Sequence, residues 1–213
     1  LTLIHGVPVK IANDRPNIAD LSESTAASVD TELSVLGQPN VARDGPITNP
    51  YFGNQFPFHA ANMPIMLAGR IDGPSLATCK RMIDDTLQAE INGLWGQAYV
   101  DFDEPADPAN PWLQGAETAI RKLGIPVTAN RFAEEFPANY PFKDPIFYFG
   151  WSAPKVNEAF TNPNFRFRPG AIACHVNSSS AQILRSTDSN WSGPLLSRGA
   201  AASLGNVLSL IHI

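Results

Sequence analysis

The 213-residue chain predicts an α/β fold, in which a mostly parallel sheet of about six to seven strands carries helices on both faces as a three-layer sandwich. Three observations lead there. Short apolar, β-favouring runs alternate with longer stretches of helical period. The nineteen Pro and fifteen Gly fall between those runs and punctuate them. Nearly every apolar run also ends in a polar residue or a glycine, as strands do where they open onto a ligand-binding edge. A hydrophobic content of 44% is enough to fill one core, so a single domain over residues 1–207 is expected.

Leu1 to His5 is β-prone and is broken by Gly6-Val-Pro8, the end of a core strand. Ser24 to Leu36 places Ala27, Val29, Leu33 and Leu36 on one helical face, and Gly37 supplies the stop. Gln38 to Asn62 has no period and is long for a structureless loop, so it predicts a surface-packed excursion or lid pinned by Tyr51, Phe52, Phe56 and Phe58. Pro64 to Ala68 predicts a strand running out through Gly69-Arg70-Ile71-Asp72, with Gly73-Pro74-Ser75 opening a helix to about Ile91.

Gln97 to Val100 predicts a strand ending in Asp101-Phe102-Asp103, followed by a helix from about Trp112 to Leu123. Ile125 to Thr128 is a further strand, ending at Asn130. Pro145 to Phe149 predicts a strand ending in Gly150-Trp151-Ser152, and Gly170 to Val176 another, ending in His175, Asn177 and three serines. A short helix over Gly193 to Arg198 and a last strand over Gly199 to Leu204 complete the series. Parallel strands bring these end residues to one edge of the sheet, where they form a cleft.

Composition excludes some classes. The net charge is −5 and the Lys and Arg residues are scattered, so a nucleic-acid partner is not expected. The densest basic stretch, Phe165-Arg-Phe-Arg168, could stack and pair with bases, but its alternation favours a short strand or turn with one aromatic face packed. No apolar run approaches the ~18 residues of a membrane span. Cys79 and Cys174 are too few for a disulfide framework and read as buried core residues.

The cleft residues carry the candidate chemistry. His175 can act as a base with Ser178 or Ser180 as nucleophile, although no G-x-S-x-G elbow accompanies them, and a structural histidine capping the strand end competes. Asp72, Asp101 and Asp103 offer hard oxygen ligands that suit Mg²⁺ or Ca²⁺, against a helix-capping role for Asp72. No cofactor is otherwise predicted. Arg70 suits either a ligand carboxylate or phosphate or one of these aspartates, and Trp151 and Asn206 complete the ligand-binding set.

Several blocks in order resemble a known family: Gly6-Val-Pro-Val-Lys10, Ala27 to Leu33, Asn49-Pro-Tyr-Phe52, Arg70-Ile-Asp-Gly-Pro74, Tyr148-Phe-Gly-Trp151, Phe165 to Ala173 and Gly193 to Val207. The chain resembles, over nearly its whole length, an uncharacterised bacterial family found in genomes that carry exosortase, the membrane enzyme proposed to sort exported proteins. The resemblance implies a periplasmic, envelope or secreted setting and brings no activity. More distantly, the chain is similar to caspase-like peptidases of the gingipain type. Tyr148-Phe-Gly-Trp151 would stand at their Gly-His-Gly strand end, Ala171 to Ser180 at the cysteine strand, and Gly199 to Val207 at the later strand. Trp151 stands where the catalytic His should be, and His175 and serines where the Cys should be, so the dyad is not carried over.

The expected function is therefore binding of a peptide or small polar ligand in the strand-end cleft without peptidase activity. A Ser/His hydrolase and a scaffold without a site are the alternatives. The reading frame is expected to be truncated at both ends. Leu1 lies inside a strand without an initiator Met, and residues 208–213, including His212, resemble a translated sequencing adaptor.

Overall fold

A computed structural model of the chain describes residues 1–11, 28–38, 65–103, 110–132 and 134–207. Residues 39–62 of the expected excursion, residues 24–27 of the expected first helix, and the 208–213 tail lie outside these residues. The elements in order are β1 (Thr2–Ile4), α1 (Val29–Ser34), β2 (Gly69–Ile71), α2 (Leu76–Asn92), β3 (Gln97–Asp101), α3 (Asn110–Lys122), β4 (Val127–Asn130), β5 (Pro145–Trp151), a 3₁₀ turn (Glu158–Thr161), β6 (Ile172–Val176) and α4 (Ser192–Ser197).

The fold is α/β with parallel sheets. Four strands pair in the order β4-β3-β5-β6 and two more form a separate parallel pair, β1-β2. The last expected strand, 199–204, is reduced to one parallel bridge, Ile172 to Ala202. The β2 strand is displaced from its expected place. Met66 and Leu67 in the apolar run are 42% and 46% exposed, and it is Gly69-Arg70-Ile71 that pairs with β1, because Arg70 anchors that segment to Asp30 on α1.

The sheet has two unlike faces. On one, Tyr99, Tyr148, Ala171 and Ala173 pack with Phe136, Phe160, Phe165, Phe167, Trp191 and Leu195 of the covering loops and α4. On the other, Val100 and Phe102 pack with Leu113 of α3, and the partly buried Phe149 and Trp151 join them. Period-two alternation produces this division. Along β5, Ile146, Tyr148 and Gly150 are buried while Phe147, Phe149 and Trp151 are only half covered. The Phe165-Arg-Phe-Arg168 stretch follows the same rule, since Phe165 and Phe167 are core and the arginines point outward.

Capping defines the helix starts. The Ser28 and Ser75 hydroxyls accept from the Thr31 and Thr78 amides, so α1 and α2 each carry a serine N-cap. Asp72 is therefore released from the capping role. α2 is tied to α4 by Arg81, whose guanidinium donates to the carbonyls of Leu196, Gly199 and Ala200 while pairing with Asp85.

Candidate functional site

The strand ends form a register row. Asn130, Asp101, Gly150 and His175 are cross-strand neighbours on β4, β3, β5 and β6, so their Cβ vectors share one face. Gly150 has no side chain, and Tyr148, two residues earlier on the same face, fills the gap with its phenol. The Tyr148 hydroxyl lies 2.9 Å from His175 Nδ1 and 3.5 Å from Asp101 Oδ2. Asn130 Nδ2 donates to Asp101 Oδ1 at 2.7 Å, and the Phe136 amide donates to Oδ2 at 3.2 Å. The His175 ring stacks on Trp191 with centroids 3.5 Å apart and planes 8° from parallel.

This row is an internal network. Burial pushes the Asp101 carboxyl up to about 7 against the opposing hydrogen bonds from Asn130 and Phe136, raises Tyr148 well above its ordinary value, and lowers His175 well below its own. His175 is thus neutral. Its Nε2 is buried with no hydrogen-bond partner, which favours the proton on Nδ1, because an unpaired acceptor is better tolerated than an unpaired donor. Nδ1–H then donates to the Tyr148 oxygen, and the phenol donates on to Asp101.

The serines do not complete a nucleophilic pair with this ring. Neither Ser178 nor Ser180 bonds to Nε2. Ser180 is buried and its hydroxyl accepts from the Asn206 amide at 3.1 Å, while Asn206 Nδ2 donates to the Asn177 carbonyl. Trp151 faces the other side of the sheet, edge-on to Trp112 at 6.0 Å. Asp103 accepts from the Ser152 hydroxyl.

Asp72 belongs to a second cluster, at the ends of β1 and β2. Its carboxylate is buried. Oδ1 meets His5 Nδ1 at 2.7 Å and the Gly73 amide at 2.9 Å, and Oδ2 accepts from Arg70 Nη1 at 3.0 Å and Arg185 Nη2 at 2.7 Å. Burial alone would raise this carboxyl; the Gly73 amide, Arg185, His5 and Arg70 together reverse that and hold it below its ordinary value. Arg70 is committed within the protein, bonding both Asp30 oxygens and the carbonyls of Val7 and Pro8. The expected cation trio does not assemble, because Asp72, Asp101 and Asp103 have separate partners in separate places.

A cavity of about 340 Å³ opens beside this second cluster. Asp30, Arg70 and Asp72 form its polar end, and Ala68, Met82, Leu184, Leu196, Ala201 and Ala202 its apolar wall. Gly205 and Val207 also line it.

No family model, curated protein or solved structure matches the chain.

The expected cleft residues thus divide among distinct surroundings. Asp101 and His175 share the buried row, Arg70 and Asp72 border the cavity, Asn206 is tied to Ser180 and Asn177, and Trp151 lies across the sheet. Sequence reasoning missed Tyr148, Trp191 and Arg185. Tyr148 had a detectable signal, since it stands two positions before a glycine on a strand and so shares the face that the glycine leaves open. Arg185 and Trp191 had none, because their partners are distant in the chain.

Proposed function

We propose that the chain is a binding protein that takes a peptide or small polar ligand into the cavity beside Arg70 and Asp72, without peptidase activity. The cavity itself carries this reading. Its volume of about 340 Å³ lies in the range of small-ligand sites, which combine apolar walls with a few placed polar groups. Here the ion pairs among Asp30, Arg70 and Asp72 fix the shape of the polar end, so the cavity is prearranged and a ligand enters at little ordering cost.

The buried row supports binding over hydrolysis. A base must reach the proton it abstracts. His175 is wholly buried, neutral and stacked, with its free nitrogen bonded to no serine. An exported setting rests on the resemblance of the Tyr148 to Trp151, Phe165 to Ala173 and Gly193 to Val207 blocks, and a caspase-like sheet on that of Tyr148 to Trp151, Ala171 to Ser180 and Gly199 to Val207.

Thermal unfolding against a panel of short peptides and small carboxylates, amines and amides tests the proposal, with Ala202→Trp as the variant that fills the cavity. A Tm rise with one class, lost in Ala202→Trp while the variant keeps its own cooperative unfolding, is expected. Absence of any shift at millimolar concentration, or equal shifts in wild type and variant, would overturn the proposal. Turnover of a peptide or ester panel that His175→Ala abolishes would replace binding with hydrolysis.

A further inference from the structure

Among the described residues, one group of three metal-ligating side chains comes together: His5, Asp72 and Cys79, whose donor atoms lie within 4.8 Å of one another. They come from three elements. His5 follows β1, Asp72 follows β2, and Cys79 lies in the first turns of α2. From this geometry we propose that His5, Asp72 Oδ1 and Cys79 Sγ form a site for a borderline-soft divalent cation, with Zn²⁺ the ion that best suits the donor set.

The donor types decide the class of ion. One thiolate, one imidazole and one carboxylate oxygen match zinc chemistry, whereas Mg²⁺ and Ca²⁺ require all-oxygen shells. Bonds of about 2.0–2.3 Å hold tetrahedral ligands roughly 3.3–3.8 Å apart, so the widest pair closes by about 1–1.5 Å at most, while His5 Nδ1 and Asp72 Oδ1, now 2.7 Å apart, open by about 0.6 Å. His5 Nδ1 and Asp72 Oδ1 already share a proton at 2.7 Å. On binding, the ion takes the place of that proton, the ring ligates as a neutral imidazole with its N–H on Nε2, and the Cys79 thiol proton leaves to solvent.

The surroundings supply the support such a site needs. Arg70 and Arg185 both bond Oδ2, which leaves Oδ1 toward the cluster and holds the carboxylate in orientation, as partners outside a metal's ligand shell do. Two arginines beside a cation is the evident objection. Asp30 and Asp72 balance them, so the ion and its thiolate add one net positive charge. Cys79 and Asp72 are buried, but the His5 side chain is 23% exposed, which gives the ion an entry path and a fourth position for water. The inference is independent of ligand binding in the adjoining cavity.

Cobalt(II) added to the reduced chain is the test, because thiolate ligation produces a sulfur-to-cobalt charge-transfer band that adventitious histidine or carboxylate binding lacks. The band is expected in wild type and in Cys174→Ser and absent in Cys79→Ser. In His5→Gln, cobalt affinity is expected to fall about tenfold or more. A wild-type chain without the band, a band that survives Cys79→Ser, or one lost only in Cys174→Ser would overturn the proposal. Should Cys79→Ser fail to fold by circular dichroism, His5→Gln decides alone, and unchanged cobalt affinity in that variant refutes the site.

Discussion

Gly150→Ala probes the buried row most sharply. A Cβ at this position would lie 2.3 Å from the Tyr148 hydroxyl, 2.7 Å from His175 Nδ1 and 2.8 Å from the Tyr148 ring carbon that bears the hydroxyl. None of these neighbours can move freely, because Tyr148 is packed against Phe160 at 4.2 Å and His175 against Trp191 at 3.5 Å. Overpacking of this kind costs about 1–3 kcal/mol. Displacing the phenol also strands buried polar atoms, at about 1–3 kcal/mol more.

The sum, about 2–6 kcal/mol, is a large part of a typical domain stability of roughly 5–15 kcal/mol. Urea unfolding followed by tryptophan fluorescence measures it, with Trp191 as the buried reporter. Gly115→Ala is the control, since nothing lies within 4 Å of a Cβ there and the residue sits inside α3, where alanine stabilises by about 0.5–1 kcal/mol. In a Tyr148→Phe background the 2.3 Å clash disappears, so the two changes should couple by about 1 kcal/mol or more. A Gly150→Ala protein within ~0.5 kcal/mol of wild type would refute the claim that the glycine makes room for the phenol.

The other stability predictions concern charge. With its carboxyl raised to about 7, folded Asp101 holds its proton more tightly than an unfolded aspartate near pH ~4. Folding therefore takes up a proton between about pH 4 and 7, so this residue's contribution is greatest below that window and declines across it, by a total on the order of 4 kcal/mol. The difference between wild-type and Asp101→Asn stabilities, measured by urea unfolding from pH 4 to 8, should trace that decline, and a difference independent of pH would refute it. Arg81→Ala, which removes three carbonyl contacts between α2 and the end of α4, is expected to cost about 2–3 kcal/mol. The exposed Lys80–Asp84 pair beside it should yield under ~0.5 kcal/mol on Lys80→Ala, and equal losses in the two variants would contradict the distinction.

Periodicity was legible where one face of an element is buried. Gln97 to Asp101, Pro145 to Trp151 and Ile172 to Val176 form strands within a residue or two of their expected places, and α2, α3 and α4 follow their patterns. It failed at β2, where the apolar Pro64 to Ala68 run outscored Gly69-Arg70-Ile71. The pairing of those three residues depends on Asp30, forty residues away in sequence from Arg70. The last strand failed differently, since Gly199 to Leu204 makes only a single bridge to β6.

The candidate site shows the same boundary. That Asp72, Asp101, Asn130 and His175 stand at strand ends follows from chain order alone. Their partners do not: Asp72 is held by Arg185, 113 residues on, and His175 lies under Trp191, which is carried by the start of α4. A strand-end rule thus finds polar residues near an edge and leaves undecided which of them are sealed inside the sheet. Closure by Trp191 and the Tyr148 phenol seals Asp101 and His175, whereas the cavity beside Arg70 and Asp72, lined also by 201–205, stays open.

On the function proposed above, ligands meet the chain beside Arg70 and Asp72 and not at the His175 row. Amide chemical-shift mapping tests it directly, with the best-stabilising member of the peptide and small-molecule panel as the probe. Perturbations centred on residues 68–72, 184, 196 and 201–207 are predicted, with the amides of Asp101, Asn130, Tyr148 and His175 unmoved. Shifts centred on 150–152 and 175–180 instead would contradict the account.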